Sequence, residues 1–165
     1  MVLDDKLAIK EAIARYSHTW DGKEADGFAE LLLQDGVWEL FGPEDTEPQL
    51  RLESQSTIPA CAAGNFQGRL LGVYTRHYQT GTLFDEATDD TARTRTMVLM
   101  TYQGPSDANP RPIVSGVYHD QWHKTSAGWR FAHRLLRHDL STRSPIDGGV
   151  PSPIGRSFPQ SETTD

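Results

Sequence analysis

Cysteine is almost missing from this chain: one residue, Cys61, in 165. A single thiol forms no intramolecular disulfide, which excludes a disulfide-stapled scaffold and suits a reducing, cytoplasmic setting. Long apolar runs are missing too. The longest, such as Leu31 to Leu33 and Met97 to Met100, fall far short of the roughly 20 residues a membrane-spanning helix needs. The amino terminus, Met-Val-Leu-Asp-Asp-Lys, has no basic stretch followed by an apolar one, so no secretory signal is expected. An excess of positive charge is absent: 16 basic residues face 23 acidic ones, for a net charge of −7. That is the wrong sign for binding by phosphate neutralisation, and nucleic acid is excluded as an expected partner. There is no glycine-rich phosphate loop and no Gly-x-Ser-x-Gly elbow, which argues against nucleotide cofactors and serine hydrolysis.

What is present fits one globular domain over residues 1–140, followed by a carboxy-terminal arm. From Asp4 to Trp20, the apolar residues Ile9, Ile13, Tyr16 and Trp20 recur at steps of four, three and four. This is one stripe of an amphipathic helix, with Asp4 or Asp5 at its first turn and Gly22 as its left-handed stop. A second helix is expected over 24–34, then a short strand from Val37 to Phe41, a loop through Glu53, and a small helix from Ser56 to Phe66. Four strand-like runs follow: 70–84, 91–103, 113–124 and 128–139. Their short connections imply one antiparallel, twisted sheet. The arm, 141–165, with four prolines among glycine and serine, is expected to be extended or disordered. Segregated helices and an antiparallel sheet make an α+β domain, whose curved interior suits a small apolar ligand.

Three segments together resemble the SnoaL-like, scytalone dehydratase-like branch of the nuclear transport factor 2-like superfamily. They are Ile13 to Trp38, with Tyr16, Asp21, Asp26 and Phe28; Thr75-Arg-His77-Tyr with Asp90 to Arg95; and Gly116-Val-Tyr118-His-Asp120 with Gly128 to Arg134. They span about residues 5–140. The resemblance implies a cone-shaped fold, a curved antiparallel sheet wrapped by an amino-terminal helical hairpin and a further short helix. It also implies a cofactor-independent dehydratase, isomerase or cyclase, and a homo-oligomer, dimer or trimer.

The same resemblance assigns Asp21 and His77 as a general acid/base pair and Tyr16 as the group that orients substrate. Such an assignment makes chemical sense: a carboxylate holds one imidazole tautomer and stabilises the imidazolium, while the other ring nitrogen takes a proton next to a carbonyl. Each residue also has a purely structural use. Asp21 can cap an Asp-Gly turn, His77 can be a satisfied strand histidine, and Tyr16 can be core. Trp20 stands where the scytalone dehydratase pattern has a tyrosine, so a second phenol is missing. Trp20, Trp38, Met97, Tyr118 and Phe131 are expected to line the substrate cavity. Leu99 and Trp129 are core or wall, and Arg95 is either an anion receptor or a solvated strand residue. His119 and His123, four apart on a strand, lie about 13 Å apart, too far to share an ion, and no metal is expected. The alternatives to an enzyme are a non-catalytic ligand-binding or assembly module and a structural subunit like that of ring-hydroxylating dioxygenases.

Overall fold

Leu3–Asp21 forms helix α1 in a computed structural model that describes residues 1–140. The sequence stripe becomes its packed side, with Ile9, Ala12, Ile13 and Tyr16 buried. Asp5 is buried too: it accepts the Trp129 indole N–H at 2.9 Å and pairs with Lys124 at 2.7 Å, which ties the helix start to the sheet. The stop differs from the expectation. Gly22 is right-handed at φ −79°, and Lys23 takes the left-handed turn at φ 60°. Glycine is needed at 22 for space, because a Cβ there would stand 2.9 Å from the His18 carbonyl oxygen.

The expected second helix is cut short. Helix α2 covers only Ala25–Ala29, and strand β1 already begins at Leu32, running to Phe41. Phe28 and Leu32 are buried on both accounts, so apolar spacing alone did not separate a helix end from a strand start. The acidic loop holds a further short strand, β2, Leu50–Glu53, paired to β1. Helix α3, Thr57–Gln67, lies within a residue of its expected place. Strands β3 (Tyr74–Ala87), β4 (Thr91–Gln103), β5 (Arg111–Thr125) and β6 (Gly128–His138) form the antiparallel run that the sequence implied.

The sheet order is β2-β1-β6-β5-β4-β3. It is not antiparallel throughout, because β1 pairs parallel with β6. The whole β2-to-β5 stretch of chain serves as their crossover, as parallel neighbours require. Along β4, alternation is strict: Ala92, Thr94, Thr96, Val98 and Met100 face the helices, while Arg93, Arg95, Met97 and Leu99 face outward. β6 breaks its own alternation. Trp122 pairs with Phe131 but Gln121 with His133, so Ala132 is an extra residue. That bulge turns Arg134, rather than His133, inward. No described helix is long and apolar enough to cross a membrane. The proposed arm, 141–165, lies outside the described residues.

Candidate active site

The inward face of the sheet and the three helices enclose a cavity of about 100 Å³. Tyr16 and Trp20 reach it from α1, Phe28 from α2, Trp38 from β1, His77 from β3 and Tyr118 from β5. Its surface is overwhelmingly apolar, with polar groups at a few points.

Asp21 is the last residue of α1, before the chain turns into α2, and its side chain reaches β3. Its carboxylate is almost closed off and receives three hydrogen bonds from that strand. His77 Nδ1 lies 2.7 Å from Oδ1, the Thr75 hydroxyl donates to Oδ1 at 2.8 Å, and the His77 backbone N–H donates to Oδ2 at 2.8 Å. Burial pushes the carboxyl up, but the hydrogen bonds and charge of His77, with Thr75, outweigh it and hold Asp21 below the ordinary carboxylate range. A carboxylate accepting at Nδ1 fixes the proton there and leaves Nε2 with its lone pair. Strand pleating explains the grouping: Thr75, His77 and Gln79 alternate onto the inward face beside α1.

The His77 ring stands edge-on to Tyr16 at 6.3 Å and to Trp20 at 6.0 Å between centroids. The Tyr16 hydroxyl accepts the Trp38 indole N–H at 3.2 Å. Burial raises the Tyr16 phenol above its usual value, and the nearby Arg134 charge and the Trp38 donor pull it back down. Arg134, which reasoning from the sequence did not single out for the site, is fully buried. Its guanidinium lies in the angle between two rings, 3.9 Å from the Tyr16 centroid and 3.6 Å from that of Tyr118, which stand 5.8 Å apart at 68° to each other. It donates to Gln79 Oε1, and Gln79 in turn donates to the Ser17 hydroxyl at 2.7 Å. Asp120 lies 3.7 Å from Arg134 and is equally buried. The Tyr118 hydroxyl and both Asp120 oxygens lack hydrogen-bond partners among the described residues.

The structure thus gathers Tyr16, Trp20, Trp38, His77 and Tyr118 at one cavity, with Asp21 directly behind His77. Two expected wall residues fall elsewhere. Met97 is on the outer face of β4, 53% exposed, because it shares strand parity with Arg93 and Arg95. Leu99 goes outward with it. Phe131 is completely buried, but behind the cavity, against Trp122 at 3.9 Å and Tyr16 at 5.9 Å. Arg95 is no receptor inside the cone, since it pairs with Asp85 at 2.8 Å on the outer surface.

A family model described as the SnoaL-like domain matches residues 1–135. The chain belongs to this SnoaL-like family. No protein of curated function matches the sequence. Among solved structures, the SnoaL-like chain is similar to a variant of Rv3472, a protein of unknown function from Mycobacterium tuberculosis. The two are 26% identical with a TM-score of 0.69, over 82% of this chain and 72% of that one. It is also similar to a Novosphingobium aromaticivorans protein named for scytalone dehydratase, at 20% identity and TM-score 0.69 over 94% and 97% of the two chains. A third, from the same organism and named as the beta subunit of an aromatic-ring-hydroxylating dioxygenase, reaches TM-score 0.71 at 14% identity, over 84% and 92%. At such identities, the last two carry the fold alone.

Proposed function

We propose that this SnoaL-like chain is a cofactor-independent lyase or isomerase, of dehydratase or cyclase type, acting on a small apolar, oxygenated molecule. The observation that carries the proposal is the 2.7 Å contact between His77 Nδ1 and Asp21 at the wall of an apolar cavity. His77 Nε2 takes a proton from a carbon next to the substrate carbonyl. The imidazolium so formed is stabilised by the Asp21 carboxylate, which stays ionised. Tyr16 donates a hydrogen bond to the carbonyl oxygen as negative charge develops there, with Arg134 behind its ring favouring that donation. Nε2 then returns its proton to a departing hydroxyl, releasing water, or to another carbon, moving the double bond. Tyr118 and the indoles of Trp20 and Trp38 shape the remaining wall.

The test is proton abstraction itself, followed as deuterium uptake or dehydration across a panel of β-hydroxy ketones and unsaturated ketones. His77→Gln keeps a polar side chain of similar reach without the basic nitrogen, and lowers turnover by about 10² to 10⁴. Asp21→Asn also lowers it, and the double variant is no worse than His77→Gln by more than a small factor, since both act on one unit. Additive losses, or turnover indifferent to both changes, contradict the mechanism.

We further infer that the outer sheet face pairs with a second copy of the chain. Tyr78, Leu83, Met97 and Leu99 leave an apolar patch there, edged by Arg95 and Asp85.

A further inference from the structure

One permanent charge lines the otherwise apolar cavity: the guanidinium of Arg69, and none of the described lining residues is a carboxylate. Arg69 follows the end of α3, at the rim. Its Nε donates to Asn65 Oδ1 at 2.7 Å, and the Asn65 amide donates to the Cys61 carbonyl at 3.0 Å, so the arginine head is aimed by a braced side chain. The nearby titratable groups that favour its charge are a thiol and a phenol, Cys61 and Tyr102. Arg69 is exposed at its outer side while partial burial against the wall acts against its charge, and among the described residues no carboxylate stands within ion-pair distance. Of the arginines outside the cavity, Arg95 has Asp85, Arg111 has Asp107 and Arg15 has Glu11, whereas Arg76 and Arg130 donate to backbone carbonyls. Both terminal nitrogens of Arg69 remain available as a planar fork, the geometry that matches a carboxylate.

Arg69 shares the cavity lining with Tyr102 and His77. Tyr102 is the strand partner of Thr75, and His77 is the next inward residue of β3, about 7 Å further along. We propose that the ligands of this cavity are carboxylates: ring-sized apolar molecules whose anionic group is held by Arg69 at the rim while the ring reaches inward toward His77. The proposal rests on the cavity being the ligand site, as above, and adds the chemical class of what enters.

Benzoate and benzamide test it, because they share shape and differ in charge. Trp20 and Trp38, both in the cavity wall, report occupancy by fluorescence quenching at neutral pH. Benzoate is expected to bind at least about tenfold tighter than benzamide, as for a charge-assisted pair at a partly desolvated site. Arg69→Gln removes that preference and leaves benzamide affinity unchanged, Arg69→Lys restores part of it, and His77→Gln leaves it in place. The proposal is overturned if wild-type protein binds both probes equally, if the preference survives Arg69→Gln, or if it vanishes in His77→Gln instead. Benzamide binding without benzoate binding overturns the carboxylate class alone. Binding of neither at millimolar concentration counts against the cavity as a ligand site as well.

Discussion

Asp120→Asn is expected to make the protein more stable, and by an amount that grows with pH. The Asp120 carboxyl is buried on β5 with neither oxygen hydrogen-bonded among the described residues, and its one ionic partner, Arg134, lies 3.7 Å away. Burial lifts it from 3.8 to about 7, with Arg134 pulling in the opposite direction. The folded chain therefore holds this proton more tightly than the unfolded chain does. Stability contributed by the neutral acid is present below about pH 4 and is lost progressively as pH rises to about 7. The gap between the two values corresponds, at about 1.4 kcal/mol per tenfold, to about 4 kcal/mol as an upper figure. Asparagine is close in shape to the neutral acid and cannot ionise, so the variant avoids this loss. Urea unfolding of both proteins across pH 4 to 8 measures it: near-equal stabilities are expected at the acid end, and an advantage for Asp120→Asn approaching that figure at the alkaline end. A difference flat across pH, or a wild-type protein more stable at pH 8, refutes the assignment of a raised, burial-held proton to Asp120.

Gly116→Ala is expected to cost about 1–3 kcal/mol, measured by the same unfolding experiment, because a Cβ at 116 would stand 2.4 Å from the Arg137 carbonyl oxygen on the neighbouring strand, where backbone cannot yield cheaply. Unchanged stability would show that β5 and β6 can separate locally. Met97→Glu, on the exposed outer face, is expected to shift sedimentation from oligomer toward monomer while the circular dichroism of the fold is retained. An unchanged mass would remove that face from the interface.

The order of elements was readable from periodicity, since α1 shows its stripe and β4 its alternation in the bare sequence. The approach of Asp21 to His77 was not readable from spacing. It followed from the resemblance, because the two are 56 positions apart and only the packing of α1 against β3 joins them. Met97 was misplaced although the sequence held a usable sign: two arginines of the same parity, Arg93 and Arg95, mark its face as the wet one. Arg134 is a different case. Counting by twos from Phe131 puts His133 inward, and only the extra residue at Ala132 reverses that, a backbone irregularity with no side-chain signature of its own. Strand β2 escaped for want of length, being four residues at the sheet edge that depend on β1 for their pairing.

Whether Asp21 holds His77 with a bare Nε2 toward the cavity is read by ¹⁵N NMR of the neutral His77 ring in wild-type protein and in Asp21→Asn. In the wild type a protonated Nδ1 and a lone pair on Nε2 are expected. In the variant, the His77 backbone N–H is a fixed donor that draws the amide oxygen to itself, so the NH₂ group faces Nδ1 and the ring proton moves to Nε2. A wild-type ring already protonated at Nε2, or a tautomer unmoved by Asp21→Asn, would mean that Asp21 does not set the His77 tautomer.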